Sequence, residues 1–317
     1  MKLVVTIDTE EDNWGGYRDD RFTVKNIGRI QALQDMFDSC HVRPTYLVSY
    51  PVATDDNAVA LLKAVLDDGR CEIGTHCHPW STPPFEEEKD ERHSMLCNLT
   101  SDLQMKKIGR LHEVIRDRFG VTPISFRAGR WGFSREVAET IHRYGYKVDT
   151  SVTPFIDWSR SFGPDFSECF PDVYRFSPDD ISKMSPLGEL LEVPATIGFL
   201  QENFALADRI QKRFRNTGVN GVLDRLGIIN KVWLSPEMSD GPSMIRLVKR
   251  FAANGYELVN LTFHSPSLMA GLTPFVKTES DERRFLQRIK ECLVYLRDAG
   301  VESITLSDTL QWVSREP

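Results

Sequence analysis

Short apolar runs alternate with helix-length amphipathic segments along nearly the whole chain. This is the pattern of β/α units around a parallel sheet. Strands are expected over residues 3–8, 44–49, 71–76, 124–127 and 147–149, then over 190–194, 231–234, 257–263 and 302–306. Between them the spacing predicts helices, the first over 24–39, where Ile27, Ile30, Leu33 and Phe37 share one face. Others are expected over 94–119, 203–215, 241–253 and 280–299, with Asp55 or Asp56 capping a helix that carries Leu61, Leu62 and Val65, and Ser134 capping another. Residues 150–188 break the rhythm with Pro154, Pro164, Pro171, Pro178 and Pro186 among several aromatics, and read as an excursion over one end of a barrel. With no internal repeat or linker, the expectation is one α/β domain over 1–317, an irregular β/α barrel.

Several function classes are disfavoured. A net charge of −7 argues against general nucleic-acid binding, which needs a basic stripe. No run of about 18 apolar residues suggests a membrane span, and the first residues enter a strand pattern rather than a signal peptide. The six cysteines are Cys40, Cys71, Cys77, Cys97, Cys169 and Cys292. They are scattered without a CxxC pair, as expected for reduced thiols in a cytoplasmic protein.

In a parallel barrel, functional groups gather where strands end at their C-termini. Asp8-Thr9-Glu10-Glu11-Asp12, His76-Cys77-His78, Arg127-Ala128-Gly129-Arg130, Asp149-Thr150-Ser151 and His264-Ser265 all fall at such ends. His76 and His78, two apart on an extended backbone, point the same way, and two imidazoles with a carboxylate suit Zn²⁺, Co²⁺, Fe²⁺ or Mn²⁺. Asp8 and Glu10 share that parity, so one can ligate a metal while the other takes a proton from a water the cation acidifies. Glu11 and Asp12 are expected on a solvated loop. His264 is placed to protonate a leaving amine, or else to serve as a third ligand or a neighbour of a helix cap. Trp80, among Pro79, Pro83 and Pro84, either lines a cleft or stiffens its loop. Trp233, and Glu237 just after it, stand near a further strand end.

The ordered set Thr6-Ile7-Asp8-Thr9-Glu10, Glu72-Ile73-Gly74-Thr75-His76-Cys77-His78, Phe126-Arg127, Asp149-Thr150-Ser151 and Phe263-His264-Ser265 resembles the five motifs of the polysaccharide deacetylase (NodB-homology, carbohydrate esterase family four) proteins. The resemblance spans residues 3 to about 268. It implies a (β/α)7 barrel, one divalent metal (zinc foremost; cobalt, manganese, iron or nickel as alternatives) and hydrolysis of an N-acyl group, usually N-acetyl, on a sugar of cell-surface polysaccharide metabolism. It also implies Asp8 as base, Arg127 as its orienting partner, His264 as acid and His76 as metal ligand, with Asp149 counted in the catalytic set. Three departures stand out. The first motif is Asp-x-Glu, which makes Glu10 the expected ligand. Trp80 occupies the usual second histidine position, so either His78 replaces that ligand or the metal has fewer protein ligands. Arg-Ala-Gly-Arg-Trp follows the third strand motif, so Arg130 and Trp131 join Trp80 and Trp233 as expected substrate contacts. Two other readings are a two-carboxylate glycosidase using Asp8 with Glu10 or Glu237, and a sugar-binding relative without catalysis.

Overall fold

The computed structural model describes residues 1–214 and 219–314. Its strands are β1 (Lys2–Thr9), β2 (Thr45–Val48), β3 (Glu72–Cys77), β4 (Ser125–Ala128), β5 (Val148–Asp149), β6 (Tyr174–Phe176), β7 (Leu190–Glu192), β8 (Ile197–Phe199), β9 (Lys231–Trp233), β10 (Leu258–His264) and β11 (Glu302–Ser303). The large sheet runs β10-β1-β2-β3-β4-β5-β7-β6, and β11 pairs with β1. Seven successive strands of that path, β10 through β7, are parallel, and β6 adds an antiparallel edge. This is the curled α/β sheet that the alternating pattern implied. Near its seam, Thr196 donates its N–H to Asn260, Leu234 donates to Thr196, and Thr262 donates to Leu234. The antiparallel pair β8–β9 flanks that seam.

Alternation along β1 explains how the strand serves two environments. Leu3, Val5 and Ile7 belong to the large apolar cluster that also holds helix residues such as Leu33, Phe37 and Leu293. Val4 points the other way, into a smaller cluster with Leu47, Val148, Leu191, Leu258 and Leu306. Thr6 and Asp8 continue that second face toward the C-terminal end. The inside of the curl therefore grades from aliphatic, through hydroxyl and amide, to carboxylate along one strand.

Most of the expected helices form, with identifiable caps. Asp55 accepts from Ala58 N at the start of a helix over Asp56–Asp67, and Ser134 accepts from Val137 N before Arg135–Arg143. The helix expected from residue 94 starts later, at Ser101–Phe119, because Thr100 caps it and residues 94–99 are drawn into a turn against the sheet mouth. The helix expected over 203–215 runs Phe204–Arg213 with Asn203 as cap, and its expected end at residue 215 falls outside the described residues. Short elements with too few residues for a periodicity, such as β6, β8 and the helix Val219–Arg225, were not anticipated. All six cysteines are unpaired. Among the described residues no helix is long and apolar enough to cross a membrane.

Candidate metal and catalytic site

Arg127 is the largest fully buried side chain, and a guanidinium in that position requires a partner for every N–H. It has them: Nε donates to Thr150 O, Nη1 to Asp8 Oδ1 (2.5 Å) and Thr262 Oγ1, and Nη2 to Thr6 Oγ1 and Thr150 Oγ1. Four strand-end residues thus converge on one cation. Burial pushes the Asp8 carboxyl up, but Arg127, His76 and His264 outweigh it and hold the pKa down to about 2. Asp8 is ionised and fixed in direction.

Beyond Asp8 Oδ2 lie two imidazoles, His264 Nε2 at 3.5 Å and His76 Nε2 at 3.9 Å. Glu10 Oε2 stands closer to the histidine pair, 3.2 Å from His76 Nε2 and 3.3 Å from His78 Nε2. Glu10, His76 and His78 place one ligand atom each within 4.8 Å of one another. Glu10 Oε2 and both ring nitrogens of His76 are buried without a hydrogen-bond partner. Buried polar atoms left unpaired in this way fit a cation that would occupy the space between them.

Glu11 and Asp12 are corrected from the sequence reading: both are buried, not on a solvated loop. Glu11 accepts from His78 Nδ1 (3.2 Å), Trp80 Nε1 (3.1 Å) and Ser49 Oγ (2.9 Å). Burial raises its carboxyl, yet His78 and these bonds bring the pKa down to about 2, so Glu11 is a carboxylate and His78 Nδ1 must be the donor. That arrangement turns Nε2 toward Glu10, the orientation a carboxylate behind a ligating histidine provides. Asp12 accepts from Thr23, from the backbone of Lys25 and Asn26 and from the Asn26 amide, which pins the start of the loop that follows β1.

Sequence departures around His78 have a steric reason. A Cβ on Gly129 would lie 2.1 Å from His78 Cδ2, so only glycine leaves room for this ring. Trp80 stacks on the other face of His78, with centroids 4.0 Å apart, and is buried. It therefore backs the ligand as well as lining the cavity, a closer structural role than the expected substrate contact. Next, Arg130 and Trp131 take positive φ values of 53° and 60°, a conformation costly for non-glycine residues. The turn lays Trp131 over the Arg127 guanidinium, 5.0 Å from its centroid. Arg130 is engaged by Ser94 Oγ and Glu91 and so is not a free cation.

Lys107, on the helix Ser101–Phe119, is also fully buried. Its three N–H groups are shared among the carbonyls of Pro79, Thr82 and Pro84 and the Glu87 carboxylate, clasping the loop that presents Trp80. Lys107→Met should cost about 3 kcal/mol, because four acceptors lose a buried partner. Urea unfolding checks this, and a loss under 1 kcal/mol would mean that the loop is held otherwise.

His264 is partly exposed, at 22%. Its Nδ1 donates to Glu237 Oε2 (2.8 Å), and its backbone N–H to Glu237 Oε1. Burial pushes its pKa down, but the Glu237 charge and hydrogen bond, with Glu10 and Asp8, raise it to about 10. Glu237, expected near a strand end and weighed there as a glycosidase carboxylate, meets His264 because the loop after β9 folds back. Asp149 lies apart. It is fully buried, does not line the cavity and accepts from Ser151 N and Oγ. Burial raises it to about 6, and it shares its surroundings with Glu192, likewise pushed up. The Arg127 charge and the Ser151 bonds partly offset the effect of burial on it.

Above these groups opens a cavity of about 370 Å³, which five of the six tryptophans line: Trp14, Trp80, Trp131, Trp158 and Trp233. Asp8, Glu10, His76, His78 and His264 line one part of it. Trp14 and Trp158 were not anticipated, since each sits in a loop without periodicity.

No family model matches the chain, and no curated protein matches it by sequence. Solved structures do. A 4-alpha-glucanotransferase from Thermococcus litoralis matches with a TM-score of 0.51 at 11% identity, covering 98% of this chain and 40% of that one. A GH57 branching enzyme from Thermococcus kodakaraensis also gives 0.51, at 10% identity, over 98% and 70% of the respective chains. The chain has the curled α/β fold of these carbohydrate-active enzymes. A family 4 acetyl xylan esterase from Clostridium thermocellum, solved with cobalt, matches at 0.44 and 15% identity over 98% of this chain and 91% of the other. A peptidoglycan deacetylase from Bacillus subtilis and the CE4 domain of a multidomain xylanase are among the further matches.

Proposed function

We propose that this chain is a divalent-metal-dependent amide hydrolase of the polysaccharide deacetylase type, which removes an N-acyl group, foremost N-acetyl, from a sugar or glycan precursor. The observation that carries the reading is one wall of the cavity. There, an ionised Asp8 locked by Arg127 stands 3.5 Å from His264, beside the unpaired buried atoms of Glu10 and His76. We assign Glu10, His76 and His78 as ligands, with zinc the first choice. Bound there, the cation would polarise the amide carbonyl and acidify a water.

The protein groups account for the proton movements. Asp8, as base, takes a proton from the attacking water through Oδ2, while Arg127 keeps Oδ1 engaged so that the carboxylate cannot turn away. His264, protonated through its pairing with Glu237, gives the Nε2 proton to the amine nitrogen as the C–N bond breaks. The products are a free carboxylate and a sugar amine. Trp131 and Trp233, with centroids 6.3 Å apart, offer apolar faces for a sugar ring. The setting we infer is a cytoplasmic step of surface-glycan assembly carried out by a single catalytic domain.

A two-carboxylate glycosidase fits less well. It would leave His76, His78 and His264, which line the same cavity, without a role. Glu237 is already committed to His264 and Ser267. A purely sugar-binding role leaves the Asp8–Arg127–His264–Glu237 set without a purpose. The test is acetate release from N-acetylated sugars. Turnover should be abolished by a chelator and restored by Zn²⁺ or Co²⁺, and chelator-insensitive turnover would overturn the reading.

A further inference from the structure

The cavity rim is built from segments far apart in sequence, and neighbouring segments touch. The loop after β1 brings Trp14, which packs edge-on against His264 (4.7 Å) and Phe275 (5.3 Å). Farther along the same loop, Tyr17 lies 6.0 Å from the Arg130 guanidinium, and Asp20 pairs with Lys89. Arg130 in turn holds Ser94 and Glu91. Met95 follows, and its sulfur would lie 3.1 Å from a Cβ on Gly163, within the 150–188 excursion that supplies Trp158. On the remaining side Trp131 faces Trp233, Lys231 donates to Phe155 O of the excursion, and Glu237 accepts from Ser267, ahead of the Phe275 that packs on Trp14.

An internal unit of a polysaccharide needs a groove with two open ends, because the chain must enter and leave beside the reacting residue. Here the β1 loop, the 79–95 loop, the excursion and the 233–238 segment leave a pocket walled on its sides. At about 370 Å³ it lies near the lower end of the roughly 300–1,000 Å³ usual for small-ligand sites. That is the scale of a small-ligand pocket and not of an extended groove.

We infer that the site takes its substrate end-on: a single N-acylated sugar, free or at the terminus of a longer molecule, and not an internal residue of a polymer. This rests on the proposed deacetylase reading for its choice of acyl sugar, but the geometry of entry is tested separately. Saturation-transfer NMR on the metal-loaded protein with N-acetylglucosamine and with chitopentaose reads which sugar rings touch the protein, independent of turnover. Expected is strong transfer to the monosaccharide and to one terminal ring of the pentamer, with internal rings at least fivefold weaker. Equal transfer to internal rings, or transfer to neither sugar, would overturn the inference. Transfer to the monosaccharide alone would support it with a free sugar as the ligand, and transfer to a terminal ring as well would admit chain ends.

Acetate release from the same two sugars distinguishes the two ideas. End-on contact without turnover under Zn²⁺, Co²⁺ or Mn²⁺ would count against the deacetylase reading and leave end-on entry standing. Turnover located by fragmentation mass spectrometry at internal rings would do the reverse. Trp14→Ala together with Trp158→Ala opens two sides of the rim and should raise the ratio of internal to terminal transfer at least threefold. An unchanged ratio would mean that the rim does not set the entry mode.

Discussion

Asp8→Asn should retain metal and lose turnover by about a thousand-fold, within the range that removal of a positioned base commonly costs. The carboxylate sits at the interior end of β1 with one oxygen on Arg127 and the other toward His264 and His76. Asparagine keeps the shape and still accepts from Arg127 through its amide oxygen, but it cannot take the proton. It also leaves the buried Arg127 charge without its counter-ion. A stability loss of about 3 kcal/mol should accompany the kinetic defect. Unfolding curves and metal content therefore belong beside the rate measurement, since an unfolded variant would be inactive for another reason. A folded, metal-replete Asp8→Asn protein working at the parent rate would show that another group is the base.

Much of the site was legible because strand ends obey simple geometry. Asp8, His76, Arg127 and His264 each close a strand of one parallel sheet, so their meeting follows from topology, and the β1 register pairs Asp8 directly with His264. Alternation on β1 also distinguishes Val4 and Thr6, which face the interior, from Leu3 and Val5 beneath the helices. Past Thr9 the strand direction still carries to Glu10, which meets His76, but Glu11, expected on a solvated loop, turns inward behind His78.

Trp14, Trp158 and the pairing of Glu237 with His264 were hidden for a related reason. Each belongs to a connection whose path is set by what it packs against, and no local pattern records that. Trp80 and Arg130 both line the cavity, and each is also held by partners that no local pattern records, Glu11 with His78 and Ser94 with Glu91. Asp149 stood in the catalytic motif set, yet the short strand β5 ends under the polar layer, beside Glu192.

The central claim is that Glu10, His76 and His78 hold a cation, and its removal should have the other large effect. In the structure, Glu10 Oε2 stands 3.2 and 3.3 Å from the two histidines, and neither it nor the His76 nitrogens has a hydrogen-bond partner. His76→Ala with His78→Ala takes away two of three ligands while leaving Asp8, Arg127 and His264 in place. Glu10 alone is too weak a site to retain a transition metal through dialysis. The most direct measurement is elemental analysis of the parent and this double variant after incubation with Zn²⁺ or Co²⁺ and dialysis. The expected result is about one metal per parent chain and none in the variant, with turnover lost alongside. A parent chain that binds no metal, or a variant that binds as much as the parent, would contradict the account.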